Sequence, residues 1–127
     1  MRYLLDTQAF LWLAIDDPRL TPAARAIFVD SERECFLSAA SVWEMSIKSS
    51  LGKLALTTSV AHLVRGGRER GIGLVDVRCD HAYLVEKLPF HHRDPFDRLL
   101  VAQAMHEGMH LVSCDEQLDA YPVTRIW

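Results

Sequence analysis

The sequence predicts a three-layer α/β/α domain built on a mostly parallel central sheet of about five strands. Short apolar runs of strand length alternate with segments of helical periodicity along the whole chain. Such runs, separated by helices, are typical of parallel strands that are covered on both faces. Hydrophobic residues make up 50% of the 127 residues, which is the composition of an ordinary globular protein. We therefore expect residues 1–127 to form one domain.

The first half of the chain contains two predicted strands and four predicted helices. Thr21 and Pro22 fit the N-cap and the first position of the second helix. Gly52 is expected to end the third helix, and the fourth is expected to fray at the pair Gly66 and Gly67. In order, these elements are the strand RYLLD, the helices TQAFLWLAI and TPAARAIFVDSE, the strand CFLSA, and the helices SAASVWEMSIKSSLGK and TTSVAHLVRGGRERG.

The second half contains three predicted strands separated by helices. A short helix is expected to stop before Pro89, and Asp94 and Pro95 fit the start of a longer one that ends near Gly108. In order, the elements are the strand IGLVDV, the helix DHAYLVEKL, the loop PFHHR, the helix from Pro95, the strand HLVSCD, the helical turn EQLDAY and the strand VTRIW.

Bulk composition excludes several classes of protein. The net charge of −3 gives no general sign of nucleic-acid binding, so a polyanionic partner would need a local basic patch or a metal ion. Cys35, Cys79 and Cys114 are odd in number and scattered, as in reduced cytosolic proteins. No apolar run reaches the length of a membrane span, and Asp6 interrupts the N-terminal run. We expect a cytoplasmic protein without a membrane partner.

Two aspartates follow predicted strands directly. Asp6 closes the first strand and Asp115 closes the fourth. In an open parallel sheet, ligands bind in the crevice beyond the carboxyl ends of the strands. The alternative is that each aspartate only caps the helix that follows it. Both interpretations remain open at this point.

Two further carboxylates lie on the apolar stripes of their helices. Asp97 aligns with Leu100 and Val101, although a place in the first helical turn accounts for it in part. Glu44 lies on the stripe of its own helix; it could instead lie at the rim or pair with Lys48 one turn later. Four carboxylates in one cleft would require protonation, a basic partner or a divalent cation. Oxygen ligands suit Mg²⁺ or Mn²⁺ better than Zn²⁺.

Four stretches of the chain resemble the PIN domain family, and more narrowly the VapC-type toxin ribonucleases of type II toxin–antitoxin systems. They are LLDTQAFLW, SAASVWEMSIKSSLGKL, LPFHHRDPFDRLLVAQA and LVSCDEQLDAY, which together span nearly the whole sequence. The resemblance implies a PIN-like fold and hydrolysis of RNA phosphodiester bonds, in transfer RNA or another structured RNA. It also implies inhibition by a cognate VapB-like antitoxin, whose arginine-bearing tail enters the cleft that holds the carboxylates.

The resemblance also implies roles for individual residues. Asp6, Glu44, Asp97 and Asp115 would be both the catalytic residues and the ligands of Mg²⁺ or Mn²⁺. Asp94 belongs to the same motif but is better explained by capping. As supporting hydroxyl groups, the family pattern adds Thr7 and Ser113.

Other polar residues remain open. His91 and His92 could bind metal, transfer protons or belong only to a loop. Arg65, Arg68 and Arg70 form the densest basic patch, which could contact RNA or be a solvated helix end. The segment AFLWLAI has more apolar residues than one core face needs, so we expect a homodimer.

Two other classes of function remain as alternatives. One is a PIN-like module that binds a partner without catalysis. The second, less favoured, is a receiver-like domain in which one aspartate accepts a phosphoryl group. A receiver needs a lysine on a late strand, where this chain offers only Arg125.

Overall fold

Five parallel strands form one sheet in the computed structural model, which describes Met1–Trp127. The strand order is β3-β2-β1-β4-β5, and every neighbouring pair is parallel. The predicted α/β/α class is therefore confirmed. The strands are β1 (Arg2–Leu5), β2 (Glu34–Ser38), β3 (Gly73–Val75), β4 (His110–Val112) and β5 (Arg125–Ile126).

Six α-helices and one short 3₁₀ helix connect the strands. None of the helices has the length and apolar content that a membrane span requires. The helices are α1 (Thr7–Ala14), α2 (Pro22–Val29), α3 (Ala39–Ser50), α4 (Val60–Glu69), α5 (Cys79–Lys87) and α6 (Pro95–Glu107), with the 3₁₀ helix at Glu116–Ala120.

Apolar cores lie on both faces of the sheet. Leu4 and Leu5 of β1 are fully buried, and because successive strand residues point to opposite faces they enter different cores. Leu5 packs in the core that also contains buried side chains of α1, α2 and α3. Leu4 packs in the core formed with α6 and its neighbours. From Tyr3 to Leu5 the central strand is thus a buried apolar run, because both of its faces are covered.

The prediction that the fourth helix frays at its glycine pair is wrong. Helix α4 continues through Gly66 and Gly67 and ends at Glu69. Gly67 is buried, and a Cβ added there would lie 2.9 Å from the ring of Phe10 in α1. Gly67 therefore permits close packing of α4 against α1 and does not mark a helix end.

The sheet places several polar residues at one edge. Asp6 follows β1 directly, and Ser113 follows β4, its neighbour in the sheet. The chain crosses from one side of β1 to the other between β3 and β4, which makes the carboxyl ends of β1 and β4 the switch point of the sheet. Ligand-binding crevices form at this location in open parallel sheets.

Candidate functional site

Asp6 both caps α1 and faces the crevice. Its Oδ1 accepts a hydrogen bond from the backbone N–H of Ala9 at 2.7 Å, and its side chain is buried. Burial raises the pKa of Asp6 to about 6, although hydrogen bonds from Ser113 and Ala9 oppose the rise. The negative charges of Glu44 and Asp115 raise this pKa further. The two interpretations of Asp6 are therefore compatible, because it caps α1 and also lies among the carboxylates of the crevice.

Glu44 projects from α3 into the same crevice, where both of its oxygens have partners. Oε1 accepts a hydrogen bond from Thr7 Oγ1 at 2.6 Å, and Oε2 accepts one from Lys48 Nζ at 2.7 Å. The Glu44 side chain is 8% exposed, whereas that of Lys48 is 48% exposed. The ion pair with Lys48 therefore forms at the border of the crevice and does not draw Glu44 into solvent.

Asp97 lies in the first turn of α6. Burial raises its pKa to about 7, and the negative charge of Asp94 is the next cause. Asp94 caps the helix as expected, since its Oδ1 accepts hydrogen bonds from the N–H groups of Phe96 at 2.8 Å and Asp97 at 3.3 Å. Asp97 is thus poorly solvated and surrounded by negative charges, and the nearby His92 offsets the resulting rise in its pKa only in part.

Asp115 caps the 3₁₀ helix and contacts a histidine. Its Oδ1 accepts a hydrogen bond from the N–H of Gln117 at 3.0 Å, and its Oδ2 lies 2.7 Å from His92 Nε2. The same nitrogen lies 3.4 Å from Asp97 Oδ2. The sequence left the part of His92 open. His92 lies in the stretch LPFHHRDPFDRLLVAQA, two residues before the cap Asp94, and neither the motif nor the spacing reveals a contact with Asp115.

The four carboxylates come together in one pocket of about 320 Å³, which we call the acidic pocket. Two lysines reach it, so positive charge offsets negative charge only in part. The charged residues that line it are Asp6, Glu44, Asp94, Asp97, Asp115, Lys48 and Lys53.

The chemistry of the acidic pocket fits a hard divalent cation. A ring nitrogen of His92 and one carboxylate oxygen each of Asp97 and Asp115 lie within 4.8 Å of one another, and the two oxygens are close enough for both to contact one ion. The carboxyl groups of Asp6 and Asp97 have raised pKa values because they are buried near other carboxylates and their charges are only partly compensated. A cation would supply further positive charge, and oxygen donors favour Mg²⁺ or Mn²⁺.

The remaining predicted residues divide into near and distant groups. The buried hydroxyl of Ser113 accepts a hydrogen bond from the N–H of Asp115 at 3.1 Å. Arg65, Arg68 and Arg70 are exposed on α4 and just beyond it, and none of them lines the acidic pocket.

The structure offers little support for a receiver-like site. Arg125 is occupied by Asp119, whose Oδ1 lies 2.7 Å from its Nε. It also donates to the carbonyl oxygen of Ser113. No lysine lies on β5, so the lysine that a receiver would need at that strand is missing.

Comparisons with known proteins agree with the predicted resemblance. The family model described as PIN domain matches residues 3–123. No curated protein sequence matches the chain.

Solved structures with the same fold come from several bacteria. VapBC2 from Rickettsia felis, solved with a DNA fragment from its promoter, is 14% identical with a TM-score of 0.72, and the match covers 98% of this chain and 97% of that chain. VapC20 from Mycobacterium tuberculosis, described as a Sarcin-Ricin loop cleaving toxin, is 11% identical with a TM-score of 0.67 and 93% coverage of both chains. VapBC-1 from nontypeable Haemophilus influenzae is 12% identical with a TM-score of 0.61, and the match covers 98% of this chain and 96% of that chain. At these identities the likeness shows a shared fold.

Proposed function

Because the chain belongs to the PIN domain family, we propose that it is a metal-dependent endoribonuclease toxin of a toxin–antitoxin system. The observation that carries the proposal is the acidic pocket itself. Carboxylates that are far apart in the sequence share one partly buried space, where two of them have pKa values of about 6 and about 7. A fold gains nothing in stability from such repulsion, so a function that uses it is the better explanation.

The hydrogen-bond and ion-pair partners of the four carboxylates suggest different roles for them. Asp97 has no hydrogen-bond donor on its carboxylate, and Asp6 and Asp115 each keep acceptor capacity beyond their caps, so these three would hold Mg²⁺ or Mn²⁺. The charge of Glu44 is already offset by the ammonium group of Lys48, so Glu44 would be a weaker ligand of the same ion, with Thr7 fixing its orientation. When bound, a divalent ion supplies charge stabilisation to the phosphate and lowers the pKa of water.

The substrate that we propose is structured RNA, such as transfer RNA. Lys53 is exposed and lines the acidic pocket, where its ammonium group can contact a phosphate of the bound strand. Arg65, Arg68 and Arg70 lie outside the pocket, so they would contact more distant phosphates of a large RNA. The likeness to a toxin described as cleaving the Sarcin-Ricin loop is consistent with such a substrate.

The experiment is cleavage of total RNA with and without Mg²⁺, followed by mapping of the cut sites. Asp115→Asn should abolish cleavage, whereas Asp80→Asn is the matched control because Asp80 is exposed on α5 and pairs with Arg78. Cleavage that persists in chelator, or that survives in the Asp115 variant, would contradict the proposal. Binding of RNA without any cleavage would favour the non-catalytic module.

The proposed partner is a small antitoxin with apolar and basic residues. An apolar groove of about 400 Å³, lined by side chains of α1 and of the segment 54–58, adjoins the acidic pocket. The two share Gln8, Leu11 and Leu54, so one extended segment can fill both. Apolar anchors would occupy the groove, and an arginine would pair with the carboxylates. An arginine-bearing amphipathic peptide should therefore compete with Mn²⁺, and its arginine-to-glutamine version should not.

A homodimer remains part of the proposal. The apolar excess of α1 is smaller than the sequence suggests, because Trp12 packs against Trp127 with ring centroids 5.6 Å apart. Large apolar side chains nevertheless remain exposed elsewhere, including Trp43 at 62%. Size-exclusion chromatography with light scattering should give the dimer mass, and a monomer at micromolar concentration would contradict this part of the proposal.

A further inference from the structure

The side chain of His92 lies between two of the proposed metal ligands, in a loop that the sequence left unassigned. We propose that His92 is a positioning residue: its Nε2–H holds the Asp115 carboxylate in the orientation that a divalent cation requires, and the imidazole does not bind the cation itself. This inference rests on the proposed function, because it assumes that the acidic pocket binds a divalent cation.

Hydrogen bonds to both ring nitrogens indicate which nitrogen carries the proton. Nδ1 of His92 accepts a hydrogen bond from the backbone N–H of Asp94 at 3.0 Å. An accepting ring nitrogen has no proton, so in the neutral ring the proton lies on Nε2. Nε2 is 2.7 Å from Oδ2 of Asp115 and therefore donates to it.

This arrangement is the reverse of that in a metal-binding histidine. A ligating imidazole offers its lone pair to the metal and donates the other ring N–H to a carbonyl or carboxylate. If Nε2 of His92 bound a cation, the proton would move to Nδ1 and face the N–H of Asp94. The capped start of α6 would then have to change. The hydrogen bonds of this loop thus favour the form of His92 in which Nε2–H donates to Asp115.

The backbone of His92 is fixed by a buried hydroxyl. Its N–H donates to Tyr121 Oη at 3.1 Å, and that hydroxyl donates to the carbonyl oxygen of Pro89 at 2.7 Å. Tyr121 is 3% exposed. With Gln117 N–H on Oδ1 and His92 on Oδ2, both oxygens of Asp115 are oriented, and each keeps a lone pair for a cation.

Two substitutions of His92 separate the two hydrogen bonds. In His92→Asn, the side-chain oxygen can still accept from the N–H of Asp94, but the side chain is too short to reach Asp115. In His92→Gln, the amide nitrogen can reach Asp115 and donate to it, while the contact with Asp94 is lost. Titration calorimetry with Mn²⁺ should show about tenfold or more weaker binding for the Asn variant and near wild-type binding for the Gln variant.

The outcomes distinguish the positioning role from its alternatives. Equal losses in both variants would mean that the imidazole is a ligand or only shapes the loop. Unchanged binding by His92→Asn would mean that the imidazole has no part in cation binding, and tighter binding would mean that it competes with the cation. Each of these results overturns the inference and leaves the proposed function intact. A wild-type protein that binds no Mn²⁺ would overturn both.

Nuclear magnetic resonance gives a second readout that does not depend on activity. Long-range proton–nitrogen spectra of the imidazole should show the Nε2–H form of His92 both before and after addition of Mg²⁺. A switch to the Nδ1–H form on addition of Mg²⁺ would show direct binding and contradict the positioning role.

Discussion

The carboxyl group of Asp97 has a pKa of about 7 instead of the usual 3.8, because it is buried next to Asp94 and close to Asp6 and Glu44. Above this pKa the folded protein must keep the charge in a site that solvates it poorly, whereas the unfolded chain holds it in water. Asp97 therefore costs stability at alkaline pH unless a cation is bound. Removing the charge of Asp97 should therefore stabilise the metal-free protein, which is not expected for an aspartate with a purely structural role.

Asp97→Asn should abolish RNA cleavage while making the metal-free protein more stable. Asparagine is uncharged in both the folded and the unfolded state, so the cost of ionisation disappears. In chelator at pH 8 we expect the melting temperature to rise by roughly 2–5 °C, measured by scanning calorimetry. The exposed Asp80→Asn should leave both quantities unchanged. A large drop in melting temperature with cleavage intact would show that Asp97 is structural.

Contacts along one helix could be predicted from the sequence, but contacts across the fold could not. Lys48 follows Glu44 by one turn, so their ion pair was open to prediction from helical spacing. Thr7 lies 37 positions from Glu44, and His92 lies 23 positions from Asp115. Such contacts depend on how helices and loops dock, which the periodicity of a single segment does not specify.

Helix α6 and the end of α5 are joined by a buried arginine. The guanidinium group of Arg98 donates to the carbonyl oxygens of Val85, Leu88 and Pro89 at 2.9–3.3 Å, and it lies 4.1 Å from the ring centroid of Phe90. Arg98 is only 5% exposed. The carbonyl groups at a helix C-terminus carry partial negative charge, which stabilises the buried cation. Arg98 thus anchors the start of the loop that contains His92.

Arg98→Lys should destabilise the protein by about 2–4 kcal/mol, because an ammonium group cannot reach all of these acceptors and leaves some of them unpaired. Urea unfolding followed by circular dichroism measures this loss. Arg93→Lys is the matched control, since Arg93 is exposed in the loop that precedes α6. Equal stability of both variants would show that the arginine fork is dispensable.

The glycine pair of α4 allows a second test at the level of elements. Gly66→Ala should stabilise the protein by about 0.5–1 kcal/mol, because an added Cβ meets no atom within 4 Å and alanine favours the helix. Gly67→Ala should destabilise it, because its Cβ would lie 2.9 Å from Phe10. Thermal unfolding of both variants gives the comparison. If both changes stabilised the protein, close packing of α4 on α1 would not be required.

These glycines also show why one element was predicted wrongly. Sequence propensity treats a glycine pair as a helix end, because glycine is a poor helix former. The packing of α4 against Phe10 overrides that propensity. The remaining elements were predicted because their apolar runs and caps are local features, as with Asp94 and Pro95 at the start of α6.

At the scale of the whole molecule, the strand order explains how remote carboxylates meet. β1 is central and β4 pairs beside it, so Asp6 and Asp115 follow adjacent strands although more than a hundred positions separate them. Helices α3 and α6 contribute Glu44 and Asp97 above the same edge. The apolar runs predicted that strands exist and that their carboxyl ends share one edge. They did not specify which strands are neighbours, because all of the runs are similarly apolar.

The stability of the metal-free protein should decrease between about pH 5 and pH 8. Asp6 and Asp97 have folded pKa values of about 6 and about 7, both above the usual 3.8. In this interval the folded state keeps protons that the unfolded state has released, so the free energy of unfolding falls as pH rises. Groups with lowered pKa values, such as Asp17 at about 2, act in the opposite direction but mainly at lower pH.

Mg²⁺ should reverse this dependence, because a cation binds the deprotonated carboxylates and stabilises only the folded state. In chelator we expect the melting temperature at pH 5.5 to exceed that at pH 8 by roughly 3–6 °C. Millimolar Mg²⁺ should raise the value at pH 8 more than the value at pH 5.5. The double variant Asp6→Asn with Asp97→Asn should lose both the pH dependence and the response to Mg²⁺. If the wild-type melting temperature in chelator rose with pH instead, ionisation of the carboxylates in the acidic pocket would not destabilise the fold. The argument for a metal ion between them would then fail.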